Sequence, residues 1–181
     1  MRLTPIEKPK GILLKIAYFF SKREFGRVIS ALKLIYARSI PVMIASYKII
    51  STDEKLELPK ETRYFIRYYT SHLNDCPFCS NAIEYMTDKE NIKFQQWKEF
   101  MNFQNSEKFS DKEKALLSFL EEVNLTKSST DKTFLKLKTH FSEKEIVEIT
   151  WINSTENYFN LMAKPLGLTS DNLKVLEKSK E

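Results

Sequence analysis

The chain has 181 residues, of which 42% are hydrophobic and 13% aromatic, so it can bury one substantial core, whereas two domains would be cramped. Its net charge of +5 comes from 29 basic and 24 acidic side chains that alternate along the sequence, which indicates solvated helix faces rather than a nucleic-acid-binding stripe. No apolar run reaches the roughly 18 residues of a membrane span, and the N-terminal apolar stretch is interrupted by Lys15 without a cleavage site after it. We therefore expect a cytoplasmic protein with no membrane span and no nucleic-acid partner.

The first 50 residues predict three short helices. Apolar residues recur at spacings of three and four in three segments, residues 11–25, 26–39 and 41–50. Residues 51–59 have the composition of a loop. With only three glycines and hardly any strict polar and apolar alternation, the chain has little from which hairpins could form. We expect an all-α protein in which an N-terminal helical extension, residues 1–50, packs on a single compact helical domain, residues 51–181.

Two helices are predicted around the cysteines of the chain. One covers residues 60–72, and the next covers residues 76–87, beginning at the first cysteine. Asn74 and Asp75 are residue types that commonly cap a helix N-terminus. Pro77 is tolerated in a first turn because the backbone N–H that it lacks would be unpaired there. The chemistry of the chain is expected at the start of this second helix.

The rest of the sequence predicts further helices with apolar faces. In residues 91–104, Phe94, Trp97 and Met101 share one helix face, which is typical of packing in a core. Two Ser-x-x-Glu pairs predict capping boxes, in which each side chain accepts the other residue's free backbone N–H. The pairs are Ser110 with Glu113 and Ser142 with Glu145. The second box begins a long helix that the proline and glycine of residues 165–167 end.

Cys76 and Cys79 form a single C-x-x-C pair, and the chain has no other cysteine. Residues three apart on a helix share a face, so the two sulfur atoms can meet in a disulfide with little backbone strain. The free N–H groups and the dipole at a helix N-terminus favour a thiolate and lower a cysteine pKa from its usual value of about 8.5. In a reducing compartment, such a pair indicates a catalytic, redox-active or metal-binding role rather than a disulfide scaffold.

Three alternatives to a reactive dithiol stay open at this point. Zinc needs four ligands, and besides the cysteines only His72 and His140 are of the usual type, in a spacing that matches no recognised finger. Two buried cysteines that pack as small apolar side chains are the second alternative. A thioredoxin-like domain is the third, but it needs a strand before the motif, and none is predicted. We expect no metal and no cofactor.

Three segments resemble successive parts of the carboxymuconolactone decarboxylase-like family, which includes the alkyl hydroperoxidase D type: RYYTSHLNDCPFCSNAIEYM, FSDKEKALLSFLEEVN and FLKLKTHFSEKEIVEITWINSTENYFNLMAKPLGL. The likeness covers about residues 55–168, and GILLKIAYFFSKREFGRVISALKLIYARSIP resembles the N-terminal helices of one subset. The resemblance implies an all-α helical bundle that assembles as a homo-oligomer, a trimer or a hexamer. In the hydroperoxidase branch the second cysteine attacks the peroxide and the first resolves the sulfenic acid, which implies that Cys79 is peroxidatic and Cys76 resolving.

Two positions depart from the pattern of that branch. Its proton relay has a histidine four residues after the second cysteine and a glutamate twelve residues before the first, where this chain has Ile83 and Tyr64. A base within hydrogen-bond reach contributes about a hundredfold or more to a proton transfer, so a peroxidase without one would be slow. His72, one helical turn before the pair, is the expected substitute, with Arg67 as electrostatic help and Glu84 as a weaker choice. An ordinary surface histidine is the alternative for His72.

The sequence therefore favours a thiol-dependent redox enzyme that reduces organic hydroperoxides in the manner of a peroxiredoxin. Its expected catalytic residues are Cys79, Cys76 and His72, and its reductant is an unidentified thiol. The alternative is a non-catalytic oligomeric protein whose cysteine pair is structural or senses redox state. A decarboxylase acting on a lactone acid is disfavoured, because the resemblance implies no dependence on a cysteine pair in that branch.

Overall fold

A computed structural model describes residues 2–93 and 97–173 of the chain. Within these ranges every regular element is helical, which confirms the predicted all-α fold. The α-helices, in chain order, are α1 (Ile12–Phe25), α2 (Ile40–Asp53), α3 (Lys60–Leu73), α4 (Pro77–Lys89), α5 (Asp111–Thr126), α6 (Asp131–Lys138) and α7 (Glu143–Ala163). Shorter elements are a π-helical turn (Leu32–Tyr36), a 3₁₀ segment (Trp97–Asn105) and a 3₁₀ turn (Lys164–Leu166). None of these helices is long and apolar enough to cross a bilayer.

The main core lies between α3, α5 and α7. Helix α3 packs against α4, α5 and α7. Its aromatic side chains meet Phe100 from the segment before α5, with ring centroids 5.1 Å away for Phe65 and 5.3 Å for Tyr69. Aromatic pairs at such separations add about 0.5–1.5 kcal/mol each to the gain from buried area. The fully buried aliphatic side chains around them are Ile66, Leu116, Leu117, Leu120, Leu137, Ile149 and Ile152.

Both predicted capping boxes are confirmed. Ser110 accepts the backbone N–H of Glu113 at 3.3 Å, and the Glu113 carboxylate accepts the backbone N–H of Ser110 at 2.8 Å. Ser142 and Glu145 repeat this arrangement at the start of α7. Each box satisfies two N–H groups that a helix start leaves free. Helix α7 also ends as predicted, in a 3₁₀ turn followed by Gly167 with a left-handed φ of 72°.

The N-terminal region departs from its prediction in one segment. Helix α1 forms as predicted, but the helix predicted over residues 26–39 forms only in part, because helical structure there is confined to residues 30–36. The physical reason is Ser21 on the last turns of α1. Its hydroxyl accepts the N–H of Ile29 at 3.1 Å and donates to the carbonyl of Arg27 at 3.0 Å, so the backbone between them bonds to a side chain instead of a helix ladder.

Helix α2 runs further than the sequence predicts. The predicted loop of residues 51–59 begins only after Asp53, so its first residues are helical. Tertiary contacts stabilise this helix end, because the Asp53 carboxylate accepts a hydrogen bond from the indole of Trp151 on α7 at 2.9 Å. The division of the chain into an extension, residues 1–50, and a domain, residues 51–181, stays a prediction.

The predicted apolar stripe before α5 lies outside the side chains that the structure describes. This holds for Phe94, Trp97 and Met101 alike. Two other aromatic residues of the same segment, Phe100 and Phe103, are buried in the main core. The segment therefore contributes to the core through these two side chains.

Candidate dithiol site

The cysteine pair lies at the start of α4. Cys76 is the N-cap residue of that helix, and Cys79 follows within its first turn. The structure joins the two as a disulfide with Cα atoms 5.4 Å apart, inside the range of about 4.4–6.8 Å that disulfides adopt. The prediction that the two sulfur atoms meet on one helix face is confirmed.

The turn that leads into α4 differs from the predicted cap. The sequence predicts Asn74 and Asp75 as N-caps, but Asn74 is the C-cap of α3, and Asp75 has a left-handed backbone with φ of 48°. Aspartate is one of the few residues besides glycine that adopt this conformation readily. The N–H of Cys76 donates to the carbonyl of Ser71 at 2.9 Å. The chain thus reverses between α3 and α4 so tightly that Cys76 itself takes the cap position.

Both cysteine side chains are buried, with Cys76 1% and Cys79 5% exposed. The apolar side chains that surround them come from two distant parts of the chain. The N-terminal region contributes Ala31, Leu34 and Ile35, and the end of α7 with the residues after it contributes Ala163 and Leu168. The N-terminal region therefore closes over the disulfide, which the first turn of α4 alone could not shield from water.

A buried carboxylate lies beside the same turn. Glu156 of α7 is 3% exposed. It accepts hydrogen bonds at 2.6 to 2.8 Å from Ser71, Arg67 and Asn160. Because an isolated buried charge is costly, these donors and the cation among them are what make the carboxylate tolerable in the core. Ser71 also receives the N–H of Cys76, so the carboxylate and the cysteine pair contact the same residue.

Amide and ammonium groups extend this network to the turn itself. The Asn74 side chain donates to Asn160 at 2.8 Å and to Asn157 at 2.9 Å. Lys164 donates to the Asn74 carbonyl, and its ammonium lies 3.8 Å from the Asp75 carboxylate. The last turns of α7 and the residue after them therefore hold in place the turn that precedes the cysteine pair.

Arg67 lies in this network and not against the disulfide. Its guanidinium forms ion pairs with Glu156 and with Asp53, and the Arg67 side chain is only 12% exposed. One cation thus joins the end of α2 to α3 and α7. None of its described contacts is with a cysteine, so the electrostatic help that the sequence predicts for Arg67 stays a prediction.

His72 lies on the exposed side of α3. Its ring stacks on Tyr68 with centroids 6.4 Å apart, and in the described part of the chain no hydrogen bond joins it to either cysteine. Tyr68 donates to Glu84 at 3.1 Å, and burial together with the Glu84 carboxylate raises the pKa of Tyr68 to about 12. A general-base role for His72 stays a prediction.

The two positions at which the resemblance implies relay residues have other contacts. Ile83 is buried on the inner face of α4. Tyr64 donates to the carboxylate of Glu90 at 3.0 Å, and Lys60 pairs with the same carboxylate. Burial, reinforced by the hydrogen bond to Glu90, raises the pKa of Tyr64. Tyr64 and Ile83 therefore stabilise the packing of α3 and α4, and neither supplies a proton acceptor to the pair.

The surroundings of the pair also bear on the zinc alternative. Within residues 2–93 and 97–173, no three His, Cys, Asp or Glu side chains are grouped closely enough to hold a metal ion. His140 lies after α6, where its N–H donates to the carbonyl of Leu137 at 3.0 Å. The side chains packed on the cysteines are apolar.

Sequence reasoning missed the polar face of α7. Asn153, Glu156 and Asn160 are buried at a spacing of three and four residues, where a core-facing helix normally has apolar side chains. Buried polar groups require partners, and Asn153 accepts hydrogen bonds from Thr70 at 2.8 Å and from Asn124 at 2.9 Å. Polar residues at core spacing were therefore the signal in the sequence for this network.

Several solved structures have the same arrangement of helices. A protein of unknown function from Agrobacterium tumefaciens, described as an antioxidant defence protein AhpD, is 23% identical, with a TM-score of 0.70 over 76% of this chain and 96% of its own. A peroxidase-related protein from Silicibacter sp. TM1040 is 17% identical, with a TM-score of 0.76 over 93% of this chain and 92% of its own. The debrominase Bmp8 is 16% identical, with a TM-score of 0.77 over 93% of this chain and 91% of its own. No protein-family model and no curated protein matches the sequence.

These likenesses establish the fold. The chain has the AhpD-like, carboxymuconolactone decarboxylase-like helical fold, and its Cys76 and Cys79 pair fits the C-x-x-C subset of that fold. The resemblance noted in the sequence is confirmed at this level. The named neighbours include peroxidase-related proteins and a debrominase, so the fold is one that hosts enzymes.

Proposed function

We propose that the chain is a thiol-dependent oxidoreductase that reduces organic hydroperoxides through Cys76 and Cys79. The observation that carries this proposal is a disulfide at the start of α4 in a fold shared with peroxidase-related proteins. A thiolate in the first turn of a helix is stabilised by the free N–H groups and the helix dipole. Because the pair spans one helical turn, it can open and close without displacing the helices around it.

The proposed cycle has three steps. The Cys79 thiolate attacks one peroxide oxygen, so that an S–O bond forms as the O–O bond breaks, and the departing alkoxide takes up a proton to become an alcohol. The Cys76 thiolate then attacks the sulfenic sulfur of Cys79, forming the disulfide and releasing hydroxide, which leaves as water once protonated. Two equivalents of a cellular thiol, or one dithiol, supply two electrons and two protons to restore the dithiol and leave as a disulfide.

Each attack requires that a thiol first lose its proton. The sequence predicts His72 as the acceptor, but the contact found for its ring is Tyr68. Glu156 is a buried carboxylate whose hydrogen-bond partner Ser71 also bonds the Cys76 backbone. Ser71 bonds Glu156 through its hydroxyl and the Cys76 N–H through its backbone carbonyl, which favours Glu156 as the group that positions the turn. We propose that Glu156 also accepts the thiol proton through water. His72 is kept in the proposal as the exposed alternative.

Substrate access has to involve the N-terminal region. In the disulfide state Leu34 and Ile35 cover the sulfur atoms. We therefore propose that this region moves off the pair when the reduced protein takes up its substrate. The side chains nearby are apolar or aromatic, with Tyr36, Phe78 and Met162 partly buried around the cluster. Such a lining favours a hydroperoxide with an organic substituent over hydrogen peroxide.

We also propose that the chain forms the homo-oligomer, a trimer or a hexamer, that the resemblance implies, with α2 at the subunit contact. Ile40, Ile44, Tyr47 and Ile50 are exposed on this helix, and Ser46 is its buried residue. A contiguous exposed apolar surface of this kind marks a protein contact. Sedimentation velocity of Ile44→Asp is expected to give smaller particles than wild type, and an unchanged particle size would exclude α2 as the contact.

The debrominase neighbour supports a second candidate function. Its likeness covers 93% of this chain and thus includes most of the N-terminal region. A second structure of that debrominase contains 2,3,4-tribromopyrrole. A dithiol can reduce a carbon–bromine bond as well, because its two electrons release bromide, a proton takes the place of bromine on carbon, and a disulfide forms. The same cysteine pair would serve this reaction.

One experiment tests the proposed function directly. Reduced protein is mixed with one equivalent of cumene hydroperoxide, and the products are mapped by mass spectrometry over time. We expect the Cys76–Cys79 disulfide to form faster than free cysteine reacts. The Cys76→Ser variant should accumulate a sulfenic acid on Cys79, and trapping it there assigns the roles. A sulfenic acid on Cys76 in Cys79→Ser, with none in Cys76→Ser, would reverse them.

Parallel reactions separate the candidates. If the thiols react with cumene hydroperoxide no faster than free cysteine but release bromide from 2,3,4-tribromopyrrole, the second candidate is correct. If neither reaction is fast, the protein is the non-catalytic alternative, in which the cysteine pair is structural or senses redox state.

A further inference from the structure

The outer face of α1 is exposed to solvent in the part of the chain that the structure describes. Five large apolar side chains of this face are between 44% and 78% exposed, namely Ile12, Leu13, Ile16, Phe19 and Phe20. The inner face of the same helix packs on the protein through Leu14, Tyr18 and Ser21. Helix α1 therefore has apolar side chains on two opposite faces, and an isolated chain leaves the outer one in water, which favours a partner.

Unpaired cations surround this outer face. Five exposed basic residues on and before α1 form no ion pair within the described residues, namely Lys8, Lys10, Lys15, Lys22 and Arg23. The acidic residues of the region are already neutralised, because Glu7 pairs with Lys33 at 2.8 Å and Glu24 pairs with Lys89. The apolar surface is thus bordered by a positive charge that nothing in the described chain balances.

We propose that the outer face of α1 docks on the surface of an anionic lipid bilayer. The apolar side chains would enter the boundary between headgroups and acyl chains, and the lysines would meet lipid phosphates. Each basic residue near an anionic surface strengthens such binding, and two signals, apolar and basic, are what stable peripheral attachment needs.

Charge favours a bilayer over a second copy of the chain. If two copies packed α1 against α1, the like cations of both would face each other, which opposes association. The exposed face of α2 differs in this respect, since Lys48 is the single cation of that helix and the apolar residues Ile44 and Tyr47 dominate. The two apolar faces of the N-terminal region therefore suit different partners.

Docking through α1 would also orient the cysteine pair. Helix α1 contacts α4, because Tyr85 donates to the carbonyl of Glu24 at 2.5 Å and its ring lies 5.4 Å from that of Phe25. Helix α4 is the helix that begins at the pair. Where the proposed function also holds, hydroperoxides of lipid acyl chains are the substrates that docking brings nearest. The docking itself rests on α1 alone.

Vesicle sedimentation tests the docking. The full chain is mixed with phosphatidylcholine vesicles containing one-third phosphatidylglycerol, or with phosphatidylcholine alone. We expect at least about tenfold stronger partitioning onto the anionic vesicles, weakened by salt because screening shortens the range of the attraction. Replacing both aromatic residues, Phe19→Ser with Phe20→Ser, and separately both lysines, Lys15→Glu with Lys22→Glu, should each lower partitioning at least about tenfold.

Matched controls make each outcome decisive. Leu125→Ser and Leu135→Ser remove exposed apolar side chains outside α1 and should leave partitioning unchanged. Thermal melting by circular dichroism checks that each variant is folded. Equal partitioning onto neutral and anionic vesicles, or onto neither, overturns the proposal. The proposal is also overturned if the Phe19→Ser and Phe20→Ser changes convert an oligomer to a monomer while vesicle binding is retained. In that case the partner of α1 is a second copy of the chain. Oxidation by cumene hydroperoxide without vesicles should be unaffected by these changes, which separates this proposal from the proposed function.

Discussion

The helical core of α3 to α7 and the N-terminal region bury their apolar side chains to different degrees. In the core, Ile66, Leu117 and Ile149 are fully shielded from solvent. In α1 and α2, large side chains stay open to solvent, with Phe19 at 62% and Tyr47 at 69% exposure. Apolar burial of a large side chain contributes about 1.5–3 kcal/mol, so the core gains far more of this stabilisation than the N-terminal region does.

Polar contacts attach the N-terminal region in addition to its buried side chains, which include Leu32 and Leu34. The N–H and hydroxyl of Ser30 both donate to the Asp171 carboxylate, the former at 2.8 Å. The hydroxyls of Ser46 and Tyr158 share a hydrogen bond of 3.0 Å. Such bonds contribute about 1 kcal/mol each in net terms. Because the cover of the cysteine pair, Leu34 and Ile35, belongs to the region with less apolar burial, we expect it to open while the core stays folded.

The largest effect is expected where the two regions are joined by charge. Arg67→Ala should lower the free energy of unfolding by about 3–5 kcal/mol, because it leaves the carboxylates of Glu156 and Asp53 buried without their cation. Urea denaturation followed by circular dichroism measures this. Arg23→Ala, which removes an exposed and unpaired arginine, should stay within about 0.5 kcal/mol of wild type. A loss below about 1 kcal/mol for Arg67→Ala would show that this network does not join the regions.

A cavity made in the cover of the cysteine pair should show whether this cover opens separately from the unfolding of the whole protein. Leu34→Ala removes a fully buried side chain above the cysteines and should cost about 2–4 kcal/mol. If the cover opens on its own, the thiols of the reduced variant should be alkylated by iodoacetamide at least about tenfold faster than in wild type. Leu125→Ala, at an exposed position of α5, is the matched control and should change neither quantity. An unchanged alkylation rate for Leu34→Ala would mean that the cover and the core unfold as one unit.

Two buried glutamates of α7 distinguish a role in chemistry from a role in packing. Glu156→Gln keeps the size of the side chain but removes the charge, and should slow single-turnover disulfide formation at neutral pH by at least about tenfold. Glu148→Gln is the matched control, since Glu148 is also buried but bonds the N–H groups of Glu57 and Leu58 near the other end of the helix.

The same rates decide between the proton acceptors. If both glutamine variants keep the wild-type rate of disulfide formation, Glu156 is structural only. His72→Gln, measured in the same series, tests the acceptor that the sequence predicts, and a slower rate in this variant alone would restore that assignment.

The smallest effect is expected at the position where the resemblance implies a glutamate. Hydrogen bonds from Lys60 and Tyr64 outweigh the desolvation of Glu90 and hold the pKa of its carboxyl below the usual 4.5. A carboxyl whose pKa falls on folding stabilises the protein above its unfolded pKa, and this stabilisation is lost as the pH falls through the folded value. Tyr64→Phe should therefore cost less than about 1 kcal/mol at pH 7, and the cost should shrink toward pH 3 in urea titrations. An equal cost at both pH values would contradict a bond to the ionised carboxylate.

Elements with local signals could be predicted well. The capping boxes at Ser110 and Ser142 are correct because a free N–H at a helix start is satisfied within three residues of sequence. The helix predicted over residues 26–39 is shorter than predicted because Ser21 bonds the backbone of Ile29 across a turn that the apolar spacing does not reveal. Apolar periodicity indicates which face of a segment is buried, but it does not indicate whether a hydroxyl group elsewhere in the chain forms hydrogen bonds with the backbone of that segment.

The candidate dithiol site likewise has one part that local sequence predicts and one part that it does not. The spacing of Cys76 and Cys79 was sufficient to predict that their sulfur atoms meet, because one helical turn brings residues three apart onto one face. The carboxylate beside them was not predicted, since Ser71 and Glu156 are 85 residues apart in the chain. A search confined to the residues around the pair leads to His72, whose ring the structure places against Tyr68.

By itself, the sequence determined the all-α class, most helix boundaries and the position of the dithiol on the first turn of a helix, because helix period, capping and turn chemistry act over a few residues. Only the tertiary structure decided that Leu34 and Ile35 cover the cysteines and that Glu156 faces the turn before them. Burial and hydrogen-bond partners depend on side chains that are distant in the chain and meet only when the helices pack, and no local pattern records that meeting.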